Sequence, residues 1–331
     1  MGRQRRAADE RRWHFEEAVR TFVMTGGTSG LGAVAAKLIL RSENPRLLLG
    51  SRGGVISGAE TVSVDLVSLE SVRHFSEEVI RRLEGSFIDV LILNAGVNLP
   101  TDEQRTIDGF ETTFAVNHLA HYLILRNLSP HLAVGARVVV TTSDTHDPKI
   151  NRLAPPVGVD AKRLAHPEPG AHRDGPFKRG FRAYSTSKLC NLLMVRTFAA
   201  RPRTRERMVA AVAYNPGFTP GTGMGRDASL LLRAALIVFV PILRPILRIN
   251  SVTQAGTELA DIALGKIVPP HNRYYASLVK RKLTWPDPSE LAQRDDVGEV
   301  LWDDSATLVG LSNQEPCALE THHGRPRDGR Q

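Results

Sequence analysis

A tyrosine and a lysine four residues apart, Tyr184 and Lys188, are the pair in this 331-residue chain best suited to moving a proton. Of the five tyrosines, only Tyr184 has a lysine at that spacing, which on a helix stacks both side chains on one face. A phenol titrates near ~10, so exchanging a proton at neutral pH calls for a drop of about 3 units, worth about 4 kcal/mol of differential stabilisation. A neighbouring ammonium supplies part of that shift. Taken alone, the pair also fits an ordinary solvated helix face.

A second cluster is rich in glycine rather than charge. From Thr21 to Leu40 the chain reads as a buried strand (Phe22, Val23, Met24), a glycine turn, and a helix with Leu31, Val34, Ala35, Leu38 and Ile39 at helical spacing. Gly26, Gly30 and Gly32 permit a tight reversal, a close approach of backbone N–H groups to a ligand, and close packing of the helix on the sheet. The helix start carries partial positive charge and unsatisfied N–H donors, so a pyrophosphate is its natural guest. Thr25, Gly26, Thr28, Ser29, Gly30, Leu31 and Gly32 are therefore candidate cofactor contacts.

Near-continuous apolar strands alternate with helical stretches, which predicts a single doubly wound α/β domain over 21–311, mostly parallel, with helices on both faces. Further strands are expected at Arg46–Gly50, Thr61–Val64, Phe87–Leu93, Ala136–Thr142 and Val209–Ala213, and a last one starting at Tyr274–Tyr275. Helices are expected at Ser68–Leu83, Gln104–Leu132, Ala183–Ala200 (with Tyr184 in its first turn), Ser251–Leu264 and within Glu290–Leu311. Ligands of such sheets sit beyond the carboxyl ends of the strands, where Gly26, Arg52, Asp65 with Leu66, and Asn94-Ala95-Gly96 fall. At the end of the second strand an acidic residue would hold the ribose hydroxyl of NAD. Arg52 stands there with no carboxylate nearby, which favours the extra phosphate of NADP.

Three segments lie outside this pattern. Residues 1–20 form a basic arm, 147–182 is a Pro-, Gly-, His- and Arg-rich loop, and the tail from Ser312 is polar and expected to be disordered. The apolar stretch within 224–250 is interrupted by Arg233, Pro241, Arg244, Pro245 and Arg248, too often for a bilayer span. It is expected to cover substrate or to lie on a membrane surface.

The segment Thr25-Gly-x-x-x-Gly-x-Gly32, Asn94-Ala95-Gly96, Ser143 after the fifth core strand, and Tyr184 with Lys188 resemble, in type and order, the short-chain dehydrogenase/reductase family. The resemblance covers about Thr21 to Gly223. It implies that Ser143 and Tyr184 bond the substrate oxygen, Lys188 binds the nicotinamide ribose and tunes Tyr184, and Asn117 holds a water in a proton relay. It also implies that Pro216-Gly217 lines the nicotinamide, with Thr219 or Thr222 on its carboxamide. Without it, Asn117 is equally a helix-bend residue and Ser143 a strand-end cap.

Val116-Asn117-His118-Leu119-Ala120-His121, Ser187-Lys188-Leu189-Cys190-Asn191 and Leu301-Trp302-Asp303-Asp304-Ser305 further resemble the branch holding retinol dehydrogenases and light-dependent protochlorophyllide reductases. That implies an NADP(H)-dependent oxidoreductase acting on the carbonyl or alcohol carbon of a lipophilic substrate. The alternatives are a light-dependent tetrapyrrole double-bond reductase and a non-catalytic NADP-sensing regulator. Helices like that of Tyr184 often pair between subunits in the family, which allows a homodimer.

Bulk composition argues against other classes. The net charge of +8 comes largely from scattered arginine groups without interleaved aromatics, so nucleic acid is not an expected partner. Two cysteines make no disulfide framework, and no apolar run follows the N-terminal arginines, so a cytoplasmic location is expected. His118 and His121 lack a third ligand motif, which points to helix-surface or packing roles and no metal. Hydrolysis is not indicated, because no Gly-x-Ser-x-Gly elbow is present.

Overall fold

The computed structural model describes residues 19–168, 174–220 and 249–312. The expected basic arm, Thr222, nearly all of the apolar 224–250 segment and the polar tail fall outside them. The strands are β1 (Arg20–Thr25), β2 (Pro45–Ser51), β3 (Glu60–Ser63), β4 (Ile88–Leu93), β5 (Leu132–Thr141), β6 (Ala210–Asn215), β7 (Tyr275–Val279) and β8 (Lys282–Thr284). They form one sheet in the order β3-β2-β1-β4-β5-β6-β7-β8, parallel except for β8, which runs antiparallel to β7.

Successive residues of β1 serve opposite faces. Val23, with Leu48, Leu91, Leu93, Val138 and Val140, packs on one side, while Phe22 and Met24, with Leu47, Leu49, Val90, Ile92 and Val139, pack on the other. Burying both faces explains why these strands carry apolar runs rather than alternation. The helices are α1 (Gly30–Ile39), α2 (Leu69–Leu83), α3 (Thr112–Phe114), α4 (Ala120–Leu128), α5 (Ala161–Ala165), α6 (Pro176–Ala200), α7 (Pro202–Glu206), α8 (Val252–Leu264) and α9 (Asp295–Leu308). Helices α1 and α8 supply one core, and α2, α4, α6 and α9 the other. Ser68 and Ser251 cap α2 and α8, accepting from Ser71 N and Gln254 N. The chain order reverses between β1 and β4, whose ends are level because Thr25 pairs with Leu93. The loops leaving those two strands therefore open side by side, at the crevice where sheets of this topology hold ligands.

Four expectations are corrected. The helix expected over 104–132 begins only at Thr112 and gives way to β5 at Leu132. Gly109 turns the chain at φ +85°, and the Glu111 carboxylate accepts from Thr113 N (2.9 Å) and Phe114 N (2.6 Å), capping the start. Between α3 and α4 the helix widens into a π turn, Ala115–Leu119.

Helix α6 begins at Pro176, not at Ala183, so Tyr184 lies well inside it. Proline suits a first helical turn, and Asp174 before it pairs with Lys178 (2.8 Å) and Arg182 (2.5 Å). Arg179 reaches Asp102 (2.9 Å) and Glu103 (2.5 Å) on the facing loop. Charges that resembled loop composition thus pin a helix. The rest of the expected 147–182 loop also contains α5, capped by Asp160.

Beyond β7, the short return strand β8 was not expected, and Glu290–Leu311 divides into a 3-10 turn (Glu290–Gln293) and α9. Finally, the outer face of α6 is covered by α9 of the same chain. Trp302 stacks near Phe198 (6.4 Å), Arg201 lies over Trp302 (4.9 Å), and Arg196 pairs with Asp295 (2.7 Å).

Glu111 is 1% exposed, and burial raises its carboxyl from the ordinary 4.5 to about 7. The folded chain holds this proton more tightly than the unfolded chain. The group therefore costs nothing below the unfolded value and subtracts stability progressively as pH rises from there to the folded value. Glu111→Gln keeps an acceptor for the cap but carries no charge. Thermal unfolding midpoints at about pH 5 and pH 7 are expected to differ less in this variant than in the parent.

Candidate active site

The turn after β1 is held by backbone geometry that larger residues would break. Gly26 has φ +69°, and a Cβ on Gly32 would lie 2.0 Å from Gly26 O and 2.6 Å from Asn94 Nδ2. The start of α1 is thereby drawn against the turn, with Thr28 and Ser29 at its mouth and Leu31 buried beneath. Asn94 Nδ2 donates to Gly26 O (2.9 Å), and Asn94 Oδ1 accepts from Thr141 Oγ1 (2.9 Å), tying the ends of β1, β4 and β5 together. Asn94 N and Ala95 N both donate to Thr25 Oγ1 (3.1 and 3.3 Å). Arg52 follows β2 in a turn whose Gly54 borders Thr28. It is exposed, and among the described residues it forms no ion pair.

On α6 a lysine is buried. Lys188 is 3% exposed, and its Nζ donates to Thr141 O (3.1 Å). Burial alone moves its pKa down to about 8. An ammonium has three donors, and this is the one protein hydrogen bond it makes among the described residues. From the vacant Cβ position of Gly96, Asn117 Oδ1 lies 3.2 Å away and Lys188 Nζ 3.3 Å, so both converge on the loop leaving β4. Asn117 also receives Val97 N (2.8 Å) and donates to Val97 O (2.9 Å) and Ser187 Oγ (3.0 Å).

Tyr184 is 6% exposed, and Lys188 Nζ sits 5.7 Å from its ring centroid. Its phenol moves opposite to the expectation from spacing. Burial pushes it up to about 12, a hydrogen bond with Ser143 opposes that, and the Asp144 carboxylate adds to it. Desolvation of the phenolate is the largest cause, and the Lys188 ammonium, over the ring face rather than at the oxygen, is not among the groups that shift it. Ser143 ends the β5 segment and caps the following turn, accepting from Thr145 N (3.3 Å) and Thr145 Oγ1 (3.1 Å). Thr142 Oγ1 donates to Lys188 O (2.7 Å), which fixes α6 against β5 and sets Ser143 beside Tyr184.

The remaining candidates divide. Pro216 and Gly217 follow β6, and Thr219 Oγ1 donates back to Pro216 O (3.0 Å) and Gly217 O (3.2 Å), so it holds its own turn. Asp65 N donates to Ser71 Oγ (2.9 Å), and Asp65 Oδ1 accepts from Val67 N (3.4 Å). Asp65 and Leu66 thus build the entry to α2, and among the described residues no hydrogen bond or ion pair joins them to the glycine turn. His118 and His121 are fully buried packing residues rather than surface ones, lowered by burial to about 4 and about 3. Their partners are Asn191, Ser305, Thr25 and Asn117. Among the described residues no group of acidic, histidine or cysteine side chains is arranged to hold a metal ion.

A family profile described as short chain dehydrogenase matches residues 20–154. Protochlorophyllide reductase B, chloroplastic, from Oryza sativa subsp. japonica is 32% identical over 323 residues, covering 89% of this chain and 78% of the relative. The chain belongs to the short-chain dehydrogenase/reductase family. Within it, the chain falls with the protochlorophyllide reductase branch. Protochlorophyllide reductase A, chloroplastic, of the same plant is 31% identical, over 87% of this chain and 80% of that one. Among solved structures, an uncharacterized protein from Mycobacterium Paratuberculosis superposes with TM-score 0.66 at 25% identity, over 91% of this chain and 96% of that one. The NADPH-bound carbonyl reductase from chicken fatty liver shares the fold at TM-score 0.51 and 16% identity, over 74% of this chain and 91% of that one.

Members of the family are oxidoreductases, and the site here draws on residues that spacing did not single out. Thr141 serves Asn94 and Lys188, Ser187 serves Asn117, and Asp144, raised by burial, bonds Asn215 beside Ser143. Each acts across elements distant in sequence, and no local pattern announces such a contact.

Gly32→Ala drives a methyl group into Gly26 O. The expected result is a lower unfolding midpoint together with loss of most binding of an added dinucleotide, read by thermal unfolding and fluorescence titration.

Proposed function

We propose that this protein is an NADP(H)-dependent reductase in which Tyr184 gives a proton to the substrate oxygen. The observation carrying this reading is the convergence of the Lys188 ammonium and Asn117 on Gly96, beside the glycine turn, with the Tyr184 phenol bonded to Ser143 next to them. The residues present suit the cofactor. Gly26 and Gly32 leave the backbone bare at the start of α1 for a pyrophosphate. Arg52 is free to meet a phosphate on the adenosine ribose, and the unused Lys188 donors suit the hydroxyls of the other ribose. Pro216 and Gly217, which follow β6, would border the nicotinamide. When bound, NADPH supplies hydride.

The chain's own work is electrostatic and acid–base. Ser143 donates to the substrate oxygen and polarises the carbonyl. Tyr184, which keeps its proton at neutral pH, breaks its O–H bond as the new O–H bond of the alcohol forms. The resulting phenolate is offset by the Lys188 ammonium and by Ser143. Burial keeps the Tyr184 phenol in the protonated form from which this step starts. Asn117 fixes the loop that brings Gly96 to Lys188.

The substrate is proposed to be a lipophilic carbonyl compound or its alcohol. A second reading, reduction of a carbon–carbon double bond in a tetrapyrrole, is favoured by the names of the plant relatives. Under it Tyr184 protonates carbon instead of oxygen. Among the described residues no helix is long and apolar enough to cross a membrane.

Tyr184→Phe is expected to lower turnover by roughly 10²–10⁴-fold while NADPH affinity stays within a few-fold. Cofactor absorbance with a panel of carbonyls in darkness, and with protochlorophyllide under illumination, separates the two readings. Near-normal turnover in the variant refutes the role of Tyr184. Arg52→Ala is expected to weaken NADPH at least about tenfold and to leave NADH nearly unchanged, as measured by paired titrations.

A further inference from the structure

One buried ring links the nucleotide turn to Asn117. His121 has no exposed surface, and its nitrogens reach Thr25 Oγ1 (Nε2, 3.0 Å) and Asn117 O (Nδ1, 3.2 Å). The direction of both bonds follows from the surrounding donors. Thr25 Oγ1 already accepts from Asn94 N and Ala95 N, so its hydrogen goes to His121 Nε2. Nε2 is therefore the acceptor, and Nδ1 carries the proton donated to Asn117 O. A chain of donors runs from the loop after β4, through the end of β1 and the imidazole, to the π turn.

That π turn is where the helix departs from its α ladder, and such departures gather at functional sites. Asn117 lies within it and clamps Val97 and Ser187 with its side chain. Thr25 leads directly into Gly26. The ring thus spans the two groups whose separation decides whether a dinucleotide on the turn meets Lys188 and Tyr184 in register. Burial, with the Lys188 charge adding to it, lowers the imidazole pKa to about 3, so the ring remains neutral and its tautomer does not switch at working pH.

We propose that His121 is a positioning residue that sets the separation between the nucleotide-binding turn and the π turn carrying Asn117, so that cofactor seating and the geometry of the reacting groups are fixed together. The proposal rests on the NADP(H) reading above. It goes beyond it by giving a task to a histidine that touches neither cofactor nor substrate.

The test combines His121→Phe, His121→Gln, Thr25→Val and the Thr25→Val/His121→Phe pair, measuring NADPH dissociation constant, kcat and unfolding midpoint. His121→Phe fills the space without the bridge, and is expected to raise the dissociation constant and lower kcat by about tenfold each, the size of one broken buried hydrogen bond. His121→Gln, whose amide can accept from Thr25 and donate to Asn117, should recover both to within about threefold. In the double variant the two losses should overlap rather than multiply, since either change alone breaks the bridge.

Multiplying losses, or a His121→Phe protein with parental binding and kcat but a lower midpoint, would overturn the proposal in favour of simple packing. Nitrogen-15 NMR of the parent protein gives a reading independent of any variant's folding. A protonated Nδ1 supports the bridge, and a protonated Nε2 overturns it. Neither the NMR reading nor the cycle on unfolding midpoints requires cofactor. A parent protein that bound no NADPH would therefore refute the functional reading separately from the bridge.

Discussion

The site depends on a lysine amine taken out of water with no carboxylate to meet it among the described residues. Lys188 has the Thr141 carbonyl as its protein acceptor among the described residues, and burial alone lowers its pKa. Desolvating a cation costs several kcal/mol unless donors and acceptors are matched. The arrangement around it spreads that cost over the fold. Thr142 bolts α6 to β5 through the carbonyl of Lys188 itself, Asn191 shares the Thr141 carbonyl, and Asn117 closes the space towards Gly96. The donors left over point to a ligand with hydroxyl groups, which links the energetics of this residue to the proposed chemistry.

The same constraint gives α6 its length. A helix that must present Tyr184 and Lys188 to the sheet needs anchoring at both ends. The Asp174, Lys178, Arg179 and Arg182 pairs hold its beginning, and α9 covers its outer face towards its end. Half-buried ion pairs of this kind contribute modestly one by one. Here they act mainly by direction, holding the helix in register with the loop at Asp102 and Glu103. Covering the outer face with α9 buries Trp302 and Phe198 and sets Arg201 over the Trp302 ring.

Desolvation also decides the protonation states. The phenol of Tyr184 and the carboxyls of Glu111 and Asp144 move up, while Lys188 and the three histidines 118, 121 and 146 move down. Burial is the largest cause of every one of these shifts, and it favours the neutral form. The site thereby resembles an apolar enclosure with oriented dipoles more than a cluster of opposed charges, and in such surroundings hydrogen bonds to a developing oxyanion gain strength.

Much of this architecture was legible from residue order. Apolar runs such as Ile88–Leu93 announce strands buried on both faces, Ser68 and Ser251 mark helix starts, and the glycines after Met24 can serve only a close turn. All of these are short-range facts, encoded in neighbours along the chain. What residue order left open was decided by contacts between distant segments. Glu111 ends a loop that reads as helix because its carboxylate finds the free N–H groups of α3, and the turn of α6 that follows Pro176 is held because Asp102 and Glu103 of a distant loop meet Arg179. The phenol of Tyr184 rises rather than falls because the depth of its burial is a property of the assembled layers, to which a spacing of four residues is blind. Residue types and intervals determined which groups this protein has to offer, and only the packed structure determined how strongly each holds its proton and which one it faces.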